Sequence, residues 1–406
     1  MEPLQSSCVI AGAGPAGMML GLVLARAGID VVVLEKHADF FRDFRGDTIH
    51  PSTVTLLGEL GLRDRFLALP HTSIRTLDAV VNGTRLHPID FGRLRPPDDF
   101  LVLAPQWDFL RFLAAEAGRY PGFRLLMQTE AVDLIQEAGA IRGVVARGPG
   151  GEREIRGALT VAADGRSSLL RDAAGLRPRR FGVGVDVLWF RLPKPPVMPP
   201  STLAYIDRAA MVVTIDRGDY LQTGMVIAKG GFDDLRRAGI EHLRALLAEA
   251  APVLAPVADA ITGWDDVKLL SVQVDRLPRW YRAGFLAIGD AAHAMSPAFG
   301  VGVNYAVQDA VATANAVAGP LRTGPVDLRV LDAIQGRRLP PVARMQRLQL
   351  AVHERISRPG GAVLLPTPVP GSLRLAIAVG TPVVQRVAAR VIGRGLRPES
   401  LNAELR

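Results

Sequence analysis

Val9-Ile10-Ala11-Gly12-Ala13-Gly14-Pro15-Ala16-Gly17 sets three glycines between a short apolar run and a stretch of helix formers. It reads as the turn of a strand-turn-helix-strand unit. Cys8 to Ile10 is apolar, Met18 to Ala27 is mostly good helix former apart from Gly21, and Gly28 suits the helix C-cap. Ile29 to Leu34 is a β-branched run of the kind buried on both faces in parallel sheets. Gly12 allows the tight turn, Gly14 lets the backbone approach a pyrophosphate, and Gly17 lets helix and strand pack closely. Pro15 and Ala16 open the helix, whose N-terminus offers free N–H groups and a positive dipole end to phosphates. Glu35 closes the second strand 18 residues after Gly17, placed to accept bonds from an adenosine ribose, with Lys36 beside it. The turn alone does not separate FAD from NAD.

A second signature makes that separation. Gly289-Asp290-Ala291-Ala292-His293 follows apolar Phe285 to Ile288, and Pro297-Ala298-Phe299-Gly300-Val301-Gly302-Val303-Asn304 leads into a helix expected to begin near Asn304. Asp290 suits the ribityl hydroxyls of a flavin, and Gly300 and Gly302 free backbone N–H groups to face a planar ring. A helix starting there stabilises negative charge on a reduced flavin. NAD has no ribityl chain, so the two motifs together point to FAD. Gly289, Pro297, Val301, Val303 and Asn304 join the candidate cofactor contacts. Pro297 and Gly300 are also candidates for shaping the reaction site. His293 reads as holding the turn more than as a base. Read from residues alone, Asp164, in Ala163-Asp164-Gly165, could simply cap a helix near Ser167.

The fold class is α/β: a discontinuous Rossmann-like FAD-binding domain, an inserted antiparallel-sheet substrate domain, and C-terminal helices. Residues 1–175 form the first part of the FAD domain, 176–275 the substrate domain, 276–325 the second part of the FAD domain, and 326–406 the helical region. Residues 76–100 may belong with either domain, and Asn82-Gly83 there signals a two-residue hairpin. Residues 51–69 and Gln106 to Arg119 read as helices, and Ile240 to Ala250 as a helix interrupting the substrate sheet. Leu373 to Ile392 reads as an amphipathic helix that packs, with membrane contact as the other reading.

In motif order and spacing, the chain resembles the single-component FAD-dependent aromatic hydroxylases typified by para-hydroxybenzoate hydroxylase, over roughly residues 7–320. The resemblance implies that NADPH or NADH reduces FAD, and that O2 then supplies one oxygen atom through a flavin C4a-hydroperoxide. The acceptor would be an aromatic or other electron-rich, hydrophobic small molecule. It also implies a role near the flavin and the nicotinamide path for Arg45, a ribityl and phosphate contact for Gln106, and a link to both FAD and NAD(P)H for Asp164 beside its capping role. Read from residues alone, Arg45 could equally be a surface arginine. One departure is Phe299-Gly300-Val301-Gly302, where many relatives end in Gly-Gln-Gly. Phe299 adds bulk, and Val301 lacks the amide.

Candidate pocket residues are Trp189, Phe190, Tyr205, Met211, Tyr220, Met225, Met295 and Phe299, each also a natural core residue. The net charge of +8 is scattered as single arginines without a basic block, which argues against nucleic-acid binding. Cys8 is the one cysteine, so no internal disulfide forms, in keeping with a cytoplasmic monomer or homodimer. No metal-ligand cluster, signal peptide or transmembrane run is legible. Two rival readings stand beside the hydroxylase: a flavin reductase acting on an isoprenoid or quinone-like substrate, and a non-enzymatic flavin protein.

Overall fold

The computed structural model describes residues 3–41, 48–81, 83–97, 99–198, 202–206, 210–357 and 381–406. Its main sheet runs in the order Tyr281–Arg282, Phe285–Ala287, Gly151–Ala162, Leu4–Ala11, Val31–Leu34, Phe123–Leu126. Leu4–Ala11 pairs in parallel with both Val31–Leu34 and Gly151–Ala162, and Phe285–Ala287 joins the far side of Gly151–Ala162 in parallel. The first strand therefore starts at Leu4, four residues before the expected Cys8. Its polar opening residues are held by the ladder to Ile155, Arg156 and Gly157 rather than by apolar burial. Cys8 is fully buried, and burial pushes its thiol up to about 12, as suits a small core residue.

Helix Pro15–Arg26 packs on this sheet with almost every residue buried, which its all-round apolar sequence requires. The single helix expected over 51–69 is two, Pro51–Glu59 and Arg63–Leu67. Gly61 between them takes φ +70°, a left-handed conformation that ends the first helix. The helix at 106 is Gln106–Ala117.

A second sheet of seven strands runs Lys268–Leu270, Val185–Pro193, Tyr220–Ala228, Met211–Asp216, Thr202–Ile206, Thr76–Val81, Thr84–Asp90. The hairpin closes Val81 onto Thr84, so 76–90 belongs with this sheet. All its pairings are antiparallel except Thr202–Ile206 with Thr76–Val81, which the sequence reading did not anticipate. Helix Ile240–Ala250 covers one face: Leu243 and Leu247 pack with Leu188, Phe190 and Leu192 in a core of their own. Helices Gly302–Leu321 and Leu328–Ser357 follow, and 381–394 is again helical. The rest of the expected 373–392 helix lies outside the described residues. No described helix is long and apolar enough to cross a membrane.

Candidate functional site

Three turns meet at the carboxyl ends of the parallel strands. A Cβ on Gly12 would lie 2.3 Å from the Ala163 carbonyl oxygen, immediately before Asp164. Gly289 sits between the two motif helices: its Cβ would lie 3.1 Å from Ala16 Cβ and 3.4 Å from Ala306 Cβ. The Ala163 N–H donates to Ala11 O at 2.8 Å, and the Ile288 N–H to Ala162 O at 3.0 Å. Segments more than 100 residues apart thus share one edge, the usual ligand crevice of an open α/β sheet.

Two glycines at this edge face open space. A Cβ on Gly14 or on Gly302 would meet nothing within 4 Å, whereas one on Gly17 would lie 1.9 Å from Gly12 O. Gly14 caps helix Pro15–Arg26 and Gly302 begins Gly302–Leu321, and neither helix has a side-chain cap. Each therefore leaves its first-turn N–H groups for a ligand. A flavin dinucleotide fits this pair: phosphate at one uncapped terminus and ring at the other.

Around them, Glu35 accepts from the Ala13 N–H at 3.2 Å and the His37 N–H at 3.1 Å, so the expected ribose ligand also braces the glycine turn. Lys36 points to Glu130 at 3.8 Å on the exposed rim. Gln106 stands half-buried at a helix start. Asp164 accepts from the Leu170 N–H at 3.4 Å, but the cap of that helix is Ser168, whose Oγ accepts from the Arg171 N–H at 3.0 Å. The other Asp164 oxygen is buried without a partner among the described residues, and burial raises its carboxyl. It suits a hydroxyl or amine donor. Asp290 is 35% exposed and lies 3.6 Å from Arg166. Buried Arg171 reaches both loops through Arg166 O at 3.2 Å and Ala291 O at 3.4 Å. Sequence reasoning passed over both arginines, although they flank the Asp164-Gly165 motif. Arg45 lies outside the described residues.

The 297–304 loop departs from expectation in one respect. The Gly300 N–H donates to Pro297 O at 3.0 Å, closing its own turn, so it is not free to face a ring. Gly300 is required instead by φ +62° and by Thr48, whose Oγ1 would be 2.3 Å from a Cβ there. Pro297 is exposed; Val301 and Val303 are buried. The Asn304 side chain is spent on protein partners, accepting from the His50 N–H at 2.9 Å and the Thr53 hydroxyl at 2.6 Å. Only its backbone remains for a cofactor. Phe299 takes φ +67°, a costly conformation for an aromatic residue and a form of strain that gathers at functional sites. Gln349 holds the loop from the long helix, donating to Ser296 O at 3.0 Å and Ala298 O at 2.9 Å.

His293 holds the turn. Its Nε2 lies 2.5 Å from Asp309 Oδ2, which also accepts from the Gly289 N–H at 3.1 Å. Asp309 Oδ1 accepts from Arg338 at 2.9 Å, and Arg338 and Arg337 both reach Glu399. His293 and Arg338, bonded to the Asp309 carboxyl, hold it below its ordinary range despite full burial.

On the second sheet, Phe190, Tyr205 and Met225 are core residues against the covering helices, not pocket walls, and Met295 joins the core of the first sheet. Trp189, Met211, Tyr220 and Phe299 are half-buried. Trp189 points away from its neighbours Leu188 and Phe190, packs toward the first sheet's core, and lies across Gly224.

An α/β scaffold with two uncapped glycine helix starts at one sheet edge defines a flavin-dependent oxidoreductase. The chain belongs to the FAD binding domain family, which matches residues 5–348. It is 32% identical over 394 residues to the 6-methylpretetramide 4-monooxygenase of Streptomyces rimosus, covering 92% of each chain. It is 31% identical over 360 residues to a 12-dehydrotetracycline 5-monooxygenase/anhydrotetracycline 6-monooxygenase of the same species, covering 85% of this chain and 68% of that one. PqsL, a probable FAD-dependent monooxygenase from Pseudomonas aeruginosa, shares the fold with a TM-score of 0.76 at 21% identity, over 88% of this chain and 98% of that one. The protein is an FAD-dependent monooxygenase with a reduced nicotinamide as electron donor.

Proposed function

We propose that the protein hydroxylates an electron-rich polycyclic aromatic, using NADPH or NADH and O2, with the substrate lying between the seven-stranded sheet and the 297–304 loop. The observation that carries this is Trp189: its neighbours Leu188 and Phe190 face the covering helices, while its indole packs toward the cofactor half, across the bare backbone of Gly224. The aromatic names of the two Streptomyces relatives support the same class. Bound FAD supplies electron storage and oxygen activation. In this reading Gly12, Gly14, Pro15, Ala16 and Gly17 hold its pyrophosphate, and Glu35 and Lys36 its adenosine end. Gln106, Asp164, Gly289 and Asp290 hold its middle. The N-terminus of Gly302–Leu321 steadies charge on its ring. Arg45 guides the nicotinamide donor, and Phe299 with Pro297 shields the reacting face from water.

The domain division follows the same reading: 1–175 with 276–325 binds cofactor, 176–275 with 76–90 binds substrate, and 326–406 braces both. The protein works in the cytoplasm as a monomer or homodimer. The test is incubation with a panel of phenolic polycycles, NADPH or NADH, and isotopically labelled O2. One labelled oxygen atom in a product supports the reading. Nicotinamide oxidation with a reduced isoprenoid or quinone-like product, and no label, overturns it in favour of a reductase.

A further inference from the structure

Helix Gly302–Leu321 carries further buried polar side chains beside Asp309. Of these, Tyr305 and Gln308 line a cleft with Arg338 from the long helix and Arg394 and Arg397 from the C-terminal segment. The cleft is narrow and partly open to solvent.

Two buried donors there lack partners. The Tyr305 hydroxyl and Gln308 Nε2 find no acceptor among the described residues, and the residues are 4% and 5% exposed. The Gln308 oxygen accepts from the Glu399 N–H, so the amide is oriented with its NH2 toward the cleft. Burial pushes the Tyr305 phenol up to about 12, so its hydroxyl stays a donor. Unmet donors at such depth are rare in folded proteins.

Charge separates water from an anion as the missing partner. Asp309 and Glu399 are taken up by Arg338, Arg337 and His293. Arg394 and Arg397 pair with no carboxylate among the described residues, and no acidic residue lines the cleft. The mouth is cationic and the floor is made of donors.

We propose that this cleft binds a small inorganic anion, a halide or a compact oxyanion such as phosphate. The bound anion ties the flavin-motif helix to the C-terminal segment, since Tyr305 and Gln308 come from one and Arg394 from the other.

The test uses the FAD-loaded protein. Crystals soaked in sodium bromide are expected to show an anomalous peak between Tyr305, Gln308 and Arg394. Melting is followed in chloride, in phosphate and in gluconate at constant ionic strength. A saturable rise in Tm in chloride or phosphate but not gluconate is expected, and its half-effect concentration is expected to rise at least about tenfold in Arg394→Gln. Gln308→Glu keeps an acceptor for the Glu399 N–H and places a carboxylate in the cleft, so its Tm should no longer respond to the anion. Stabilisation by phosphate alone, lost in Arg394→Gln, assigns the site to oxyanions and supports the proposal. No bromide peak together with equal melting in all three salts overturns it and leaves a water site. None of these readouts depends on turnover.

Discussion

Arg338 Nε lies 2.9 Å from Asp309 Oδ1, with the two side chains at 1% and 0% exposure. The same carboxylate receives His293 and the Gly289 N–H. A buried charge pair thus fixes the backbone of the second cofactor motif from outside the cofactor's reach. Arg338→Met would leave Asp309 and Glu399 short of their cation. Breaking a buried pair this way costs about 3–5 kcal/mol. Urea unfolding is expected to shift by that order, with early loss of FAD. An unchanged midpoint would show that the pair is dispensable.

Gly14 and Gly17 share a motif but separate binding from folding. Gly14→Ala adds a methyl to open space, so the protein should fold with near-normal Tm and bind FAD poorly. Gly17→Ala drives a methyl against Gly12 O and should fail to fold. Circular dichroism and flavin absorbance of the two variants distinguish these outcomes; a fully loaded Gly14→Ala would contradict the placement of the pyrophosphate.

Asp290→Ala removes a half-exposed carboxylate from the proposed ribityl contact. A hydrogen bond to a charged group contributes about 1.5–3 kcal/mol, so FAD affinity should fall roughly tenfold to more than a hundredfold. Titration of apoprotein with FAD measures it. The variant purifying fully loaded would move the ribityl elsewhere.

Gly224→Ala would place a Cβ 3.0 Å from the Trp189 ring. The indole must shift toward the proposed pocket, an overpacking cost of about 1–3 kcal/mol. KM for a bulky aromatic substrate should change several-fold, with FAD content unchanged. Equal KM values for wild type and variant would remove Trp189 from the pocket wall.

His50 is fully buried, and its Nδ1–H donates to Ile392 O at 2.9 Å. Burial lowers its pKa from 6.5 to about 4. The unfolded chain therefore binds a proton that the folded protein refuses over that window. Stability from this group is full above pH 6.5 and is lost as pH falls toward 4, by on the order of 3 kcal/mol. Buried His353 is lowered in the same direction, also by burial. Chemical denaturation from pH 7 to 4.5 should show the slope, and His50→Gln should flatten it. A slope unchanged in that variant would assign the effect to other groups.

The glycine turns and their strands were legible because each demand is local: Gly12 and Gly17 are forced by atoms within a few residues or by one neighbouring strand. The junction of the distant motifs followed from their chemistry. The Gly300 N–H is taken by Pro297 within its own turn, while Thr48, His50 and Thr53, which demand Gly300 and occupy the Asn304 side chain, lie some 250 positions away with no periodicity to announce them. Asp309, Arg338 and Glu399 were invisible for the same reason: a charged residue on a helix or in an irregular tail reads as solvent-facing until the fold surrounds it. The break at Gly61 was there to be read, since glycine followed by a new apolar run marks a helix end.

The long-range stitching bears on how the protein is made. Leu4–Ala11 leaves the ribosome well before its sheet partners Gly151–Ala162 and Phe285–Ala287. Gln308 then waits for the Glu399 N–H, and Glu59 for the Leu401 N–H at 2.6 Å. A nascent chain therefore exposes unpaired strand edges through most of its synthesis, a period when chaperones and aggregation compete for it. A premature stop at Arg397 would spare every glycine of both motifs. It would still yield a product that captures flavin poorly, because the last clasp on the second motif would never close.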